Sequence, residues 1–376
     1  MYSIFNEIEK IHRDQPINII ETLSNRYTLL CKNLDGTKTA FCFAVPIRNI
    51  QNNNIVDLRF HHNKNQSFFL GSNTKITITD RATLMNQYGQ CNISFDGNIF
   101  KKTEDTIFFK KDNQGIDIHP TLNGLLFIMD CNSATDRPQL TVRFDRIFDS
   151  IWSNDKCFSA MRDTHIPFLT VSCIGAIHAN GSMIAPCTVC YHKCNDFEYC
   201  LTFSASHTDT ARIAIEINMH ETKLFQDTTV ESLHPKSNNA FGGTAFLGHG
   251  KEFGEQWLYT RLEISNISQF QNKKILKTIL HIPQLSPCIA SLTTHKLSTR
   301  FCSFGSNWEN KIATTDFISE SQVSNGYYHL DMTKLFGNLR KNSENFLIRT
   351  SSSDQSAIIP TGDAFYAPQI LEIKYQ

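Results

Sequence analysis

Arg212-Ile213-Ala214-Ile215-Glu216-Ile217-Asn218-Met219 is the stretch that decides the fold class. Ile213, Ile215, Ile217 and Met219 recur at every second position. That is the period of a strand, whose successive side chains point to opposite faces. Glu216 and Asn218 fall between them, so the pattern predicts one buried face and one wet face. The same period runs through Leu258, Thr260, Leu262 and Ile264, then through Leu276, Thr278, Leu280 and Ile282, and again through Leu371, Ile373 and Tyr375. Repeated half-buried strands predict antiparallel sheets stacked in sandwiches. Helical spacing is rare. Ile4, Ile8 and Ile11 predict a short amphipathic N-terminal helix, and Lys334–Leu339 a second short one.

Turn-forming clusters separate the strand-like runs: Asn33-Leu34-Asp35-Gly36, Gln51-Asn52-Asn53-Asn54, Asp96-Gly97-Asn98, Asn180-Gly181-Ser182 and Ser237-Asn238-Asn239. Asn, Asp and Gly tolerate the positive φ that tight strand connections need. The expected organisation is all-β, with three tandem antiparallel β-sandwich domains of jelly-roll or Ig-like type. A helix over 1–16 is followed by a sandwich over 17–145. A small Ig-like domain with a cysteine cluster then covers 146–222, opening on Phe148-Asp149-Ser150-Ile151-Trp152, and a last sandwich covers 223–376. Arg137–Phe144 and Ala367–Tyr375 both read as Pro-Gln followed by a strand ending on a basic residue and an aromatic. This echo makes the first sandwich a candidate distant copy of the last.

Composition narrows the function. Lys+Arg and Asp+Glu are both 36, and no basic stripe is visible, so nucleic acid is not expected as a partner. No apolar run approaches the ~18 residues of a membrane-spanning helix. Glu7, Glu9 and Lys10 interrupt the apolar core that a signal peptide would need. The chain is therefore expected to be cytoplasmic at synthesis, and its site of action, cytoplasmic, extracellular or on a particle, is left open. The 28 Phe suit a strand-rich interior.

From residue 223 onward, an ordered series of segments resembles the DNRLRE-type β-sandwich domain, a relative of carbohydrate-binding modules found in bacterial surface and phage-associated proteins. Gln226–Val230 is similar to its opening strand, and Asn238–Gly243 to the turn that follows. Gln256–Ile264 and Lys274–Ile282 resemble its next strands. Asn307-Trp308 falls where the family often carries a tryptophan. Tyr328–Leu335, Asn345–Ile348 and the closing Pro368–Tyr375 complete the series. The six-residue string that names the family is absent, and Thr278 replaces the usual Ala. The resemblance covers about two fifths of the chain and implies a jelly-roll-like sandwich with a glycan as ligand class.

The sharpest local cluster is Cys187-Thr188-Val189-Cys190-Tyr191-His192-Lys193-Cys194, with Cys200 beyond it. Cys187 and Cys190 have the gap that lets two thiolates share a zinc ion, and Cys194, Cys200 and His192 are available to complete the set. A second two-residue-gap pair is missing. The same residues also read as a hairpin turning at Lys193-Asn195-Asp196, with the cysteines as free thiols; a disulfide is the third alternative. Reduced thiols are favoured for the twelve cysteines as a whole. The fourteen His are scattered, with no metalloprotease or nucleophile-elbow motif. Gly242–Gly250 lacks the Lys-Ser/Thr of a phosphate loop and reads as a flexible loop. Asp331 and Thr333 read as a side-chain-to-backbone turn after a strand. Glu252, Glu255 and Glu263 give no reason to read a glycosidase pair.

No enzyme and no cofactor are expected. The expected ligand contacts are the aromatics Trp257, Trp308, Tyr327 and Tyr328, because sugar C–H faces stack on flat rings. The expected function is non-catalytic recognition of a carbohydrate or other surface polymer. The alternative is a structural subunit of a phage-tail-like particle or bacterial surface appendage, in contact with itself or with particle proteins.

Overall fold

The computed structural model describes residues 4–11, 18–20, 24–112, 114–131, 136–148, 150–205, 210–270, 272–288, 290–337 and 343–376. The protein is all-β. Its strands form four antiparallel sheets, and a short helix, Ile4–Ile11, lies at the N-terminal end. Ile4 and Ile8 are the buried stripe of that helix, as their spacing predicts. The rest of the expected helix, 1–3 and 12–16, lies outside the described residues, as do Asn338 and Leu339 of the second expected helix, which is seen over Thr333–Phe336. Asp149, in the segment expected to open the middle domain, also lies outside them.

The chain divides into two compact units, and the division differs from three tandem domains. One unit is continuous, residues 49–221. The other is assembled from residues up to Arg48 and from Thr222 to the end. The first is therefore an insertion in the chain of the second, and we call them the inserted and the split unit. Two sets of pairings account for the difference. The strand Lys38–Phe43 pairs with Ile370–Tyr375 at the far end of the sequence. The strand Gln139–Phe144 pairs with Glu198–Ala205, across the boundary expected near residue 146.

The inserted unit holds a nine-stranded and an eight-stranded sheet. Phenylalanines fill the space between them. Phe95 meets Phe109 at 4.5 Å and Phe127 at 5.8 Å, and Phe158 lies 5.5 Å from Tyr199, in edge-on and tilted arrangements. The strand Thr210–Met219 sits inside the nine-stranded sheet, between Ile166–His178 and Gly124–Asp130. Its isoleucines are buried as expected, but Glu216 and Asn218 are buried too. The predicted wet face is covered, and Asn218 accepts a hydrogen bond there from the Thr121 hydroxyl at 3.1 Å.

The split unit holds two seven-stranded sheets. The first runs, in spatial order, Asn18–Ile19, Thr28–Lys32, Lys38–Phe43, Ile370–Tyr375, Ile275–Pro283, Tyr327–Asp331, Val323–Ser324. The second runs Thr314–Ser321, Leu292–Leu297, Ser343–Thr350, Gly254–Glu263, Thr244–Gly250, Ser356–Pro360, with Phe225–Glu231 also on Gly254–Glu263. One hydrophobic cluster draws on both sheets: Cys42, Leu280, Leu371 and Ile373 from the first, and Leu247, Leu258, Phe346 and Ile348 from the second. The sheets thus share a core, and the period-two residues of the sequence supply much of it.

Gly242–Gly250 is a correction to the sequence reading. Thr244–Gly250 is a buried strand, not a flexible loop. Its alternate residues Ala245 and Leu247 enter the core. Gly248 is there for space: a Cβ on it would overlap the Gln355 carbonyl oxygen, and its φ is +97°. The turn assigned to Asp331 and Thr333 is seen as such, with the Thr333 N–H donating to Asp331 Oδ1 at 2.9 Å.

Candidate functional site

The second sheet of the split unit has an outer face opposite the shared core. Leu258 points into that core, so its neighbours Trp257 and Tyr259 point out. Tyr259 joins Val230, Leu297, Phe301 and Leu347 in a second, smaller cluster, against which Trp257, Trp308 and Ile312 pack half-buried. The loop that covers this cluster is pinned at several points. Asn238 donates from Nδ2 to the carbonyls of Ser303 at 2.6 Å and Ser306 at 3.0 Å. The Asn307 and Asn310 side chains each accept the other's backbone N–H, at 3.1 and 2.8 Å. The Ile312 N–H donates to the Tyr259 hydroxyl at 3.1 Å. These bonds explain why an Asn-rich loop holds a fixed shape.

Trp308 is thereby held against Trp257, ring centroids 4.8 Å apart and planes inclined by 51°. Lys311 places its ammonium 4.2 Å from the Trp308 centroid and 5.3 Å from that of Trp257. Arg349 follows Ile348, which pairs with Leu258, so it falls beside Trp257, its guanidinium carbon 5.6 Å from the ring. The Trp257 indole N–H donates to Glu255 Oε1 at 2.8 Å. Farther along the face, His295 packs edge-on against the exposed ring of Phe317 at 5.7 Å. Burial, with the Arg349 charge beside it, pushes the His295 pKa down, so this imidazole is neutral at pH 7. The face combines flat apolar rings with fixed donors and one carboxylate. It offers ring stacking and hydrogen bonding to a polyhydroxylated ligand.

The four aromatics singled out from the sequence do not share one site. Trp257 and Trp308 come together, but Tyr327 and Tyr328 lie on the other sheet and are 3% and 0% exposed. This corrects their reading as ligand contacts. Tyr328 points into the shared core, its hydroxyl 3.0 Å from Cys288 Sγ. Tyr327 points the other way and donates its hydroxyl to the Glu7 carboxylate of the N-terminal helix. Two consecutive strand residues are buried because both faces of that strand are covered. Lys311, Arg349, His295 and Phe317 were not singled out from the sequence. Lys311, three residues from Trp308, was the one within reach of local reading; the other three depend on strand register.

The cysteine cluster is a hairpin, Cys187–Asn195 paired with Glu198–Ala205. Cys187 is buried, Cys190 and Cys194 are exposed, and Cys200 is half-buried with its Sγ 3.8 Å from Gln139 Oε1. All twelve cysteines are described, and all are thiols rather than disulfides. Residues three apart on a straight strand face opposite ways, so Cys187 and Cys190 diverge, whereas a turn would have let them converge. Among the described residues, no three His, Cys, Asp or Glu side chains gather as a metal set.

A separate acidic pair lies near the closing loop. Asp227 is buried and accepts the Gly362 N–H, and the Lys223 ammonium sits against Asp363. Burial, then the neighbouring Asp363 carboxylate, pushes the Asp227 pKa well above the ordinary carboxylate range. No protein-family model and no curated protein matches this chain.

Proposed function

We propose that this chain is a non-enzymatic surface-recognition protein that binds a carbohydrate on the outer face of the second sheet of its split unit. The observation that carries the reading is the Trp257–Trp308 pair, partly exposed, held by a pinned loop and ringed by Lys311, Arg349 and Glu255. In this reading the split unit is a jelly-roll-like sandwich of the DNRLRE type. The segments that carry that resemblance fall on strands and loops of this one unit, which supports it; the strands before residue 48 are additional to it. A glycan array probed with the full chain and with Trp308→Ala tests the proposal. Wild-type binding that the substitution abolishes is the expected result. No binding to any polysaccharide at high protein concentration refutes it.

A structural subunit of a particle or appendage is the second reading. It is favoured by the edge strand Asn98–Lys102 of the inserted unit, which leaves Phe100 72% exposed beside unpaired backbone groups. Ordered polymers in electron micrographs would support it, and a monodisperse monomer would oppose it.

A further inference from the structure

The outer face of the first sheet of the split unit carries a chain of polar groups that the binding face does not use. His281 lies on Ile275–Pro283, His329 on Tyr327–Asp331 and Glu372 on Ile370–Tyr375. His281 pairs with His329 in one ladder and with Ile370 in the other, so Glu372 reaches it diagonally. His281 Nδ1 is 2.7 Å from His329 Nδ1, and His281 Nε2 is 2.9 Å from Glu372 Oε2. His329 Nε2 is 3.1 Å from the Ser324 carbonyl oxygen. His281 is 1% exposed, so these partners are its hydrogen-bonding environment.

Each of the three contacts needs one hydrogen. The two ends of the chain, an ionised carboxylate and a backbone carbonyl, only accept. Two neutral imidazoles bring two hydrogens, and the third must be an added proton. We propose that Glu372, His281, His329 and the Ser324 carbonyl form a proton-holding clasp across three strands, with one proton more than an ionised carboxylate and two neutral imidazoles carry. Burial, and then the charge of His281, push the His329 pKa down, which keeps that ring neutral. His329 then donates from Nε2 to Ser324 and accepts at Nδ1 from the His281 Nδ1–H. The extra proton lies between His281 and Glu372.

The other titratable and charged groups on this face are engaged elsewhere or exposed to solvent. Tyr327, its ring 6.2 Å from that of His329, bonds Glu7 of the helix, and Lys10 pairs with Glu7 at 2.6 Å. Asp331 is exposed and accepts the Thr333 N–H. Lys374 pairs with Asp35 at 2.9 Å, and Lys277 is exposed at the far end of its strand.

The sign of the pH dependence follows. In the unfolded chain His titrates near ~6.5 and Glu near ~4.3. Above about pH 6.5 the folded clasp binds one proton more than the unfolded chain, so the folding constant falls about tenfold per pH unit until the clasp releases its proton. Neutral His329 acts on the acid side: below about pH 6.5 the unfolded chain takes up a proton that the folded one does not, and stability falls again.

The test is denaturant unfolding of the full chain between about pH 5.5 and 9, wild type beside Glu372→Gln. The amide that this substitution introduces donates to His281 Nε2 and supplies the third hydrogen without titrating. Relative to this variant, the wild type should lose folding constant at about tenfold per pH unit above ~6.5. Parallel profiles would overturn the proposal. Proton NMR of wild-type protein labelled with nitrogen-15 histidine is the second reading and does not depend on the variant folding. Exchange-protected, far-downfield protons are expected on both sides of the buried His281 ring, with His329 protonated at Nε2; a single such proton, or His329 protonated at Nδ1, would overturn it.

Discussion

Trp308→Ala separates the two roles assigned to this ring, packing and recognition. Full truncation of a buried Trp costs about 3–5 kcal/mol. Trp308 is half-buried, against a cluster of Val230, Tyr259, Leu297, Phe301 and Leu347, so about half of that, ~2 kcal/mol, is lost with the ring. The Lys311 ammonium at 4.2 Å adds about 0.5–1 kcal/mol as an exposed cation–π contact. The expected loss is therefore about 2–3 kcal/mol, or roughly 4–12 °C in midpoint for a unit of this size. Differential scanning calorimetry reads the stability, and isothermal titration against the best array ligand reads the binding. Binding should vanish at ligand concentrations that saturate the wild type, whereas Trp308→Phe should keep most of the stability and part of the affinity. A variant that loses stability but binds like wild type would move the ligand elsewhere. A variant with unchanged stability would refute the packing of the loop itself.

Three further outcomes follow from the geometry. Asp227→Asn should flatten a pH dependence. The raised pKa means that the folded state holds a proton the unfolded state releases above ~3.9, so wild-type stability is full below that pH and falls by up to about 1.4 kcal/mol per unit as pH rises through the folded pKa; identical profiles in chemical denaturation would refute this. Gly248→Ala should cost at least about 3 kcal/mol or prevent folding, because its Cβ would overlap the Gln355 backbone and its φ is positive, as soluble yield and circular dichroism would show. Thiol titration of the native protein under reducing conditions should find Cys190, Cys194 and Cys302 reactive at once, and Cys200 and Cys288 slower. The seven buried thiols, Cys31, Cys42, Cys91, Cys131, Cys157, Cys173 and Cys187, should react only after denaturation, and early modification of Cys42 would contradict the placement of its strand.

The all-β class was legible because alternation is a local property. Ile213, Ile215, Leu280, Ile282, Leu371 and Ile373 are buried where the period put them. The N-terminal helix and the cysteine hairpin were legible for the same reason. The division of the chain was not. Nothing near Lys38–Phe43 indicates that its partner is Ile370–Tyr375, since hydrogen-bonded ladders carry little sequence information about which strand comes alongside. Burial of a strand's second face is equally non-local, which is why Glu216 was read as wet and Tyr327 as exposed. The site was half-legible. Two tryptophans were chosen for their chemistry, but Arg349 reaches Trp257, and His295 and Phe317 join the face, only through register.

The most direct measurement of the proposed binding face uses the three tryptophans of the chain, Trp152, Trp257 and Trp308. In a Trp152→Phe background, under excitation selective for tryptophan, only the two rings of the face emit. Titration with the glycan selected on the array should shift their emission saturably, with the same midpoint as calorimetry. Binding that leaves the emission unchanged would contradict recognition at this face.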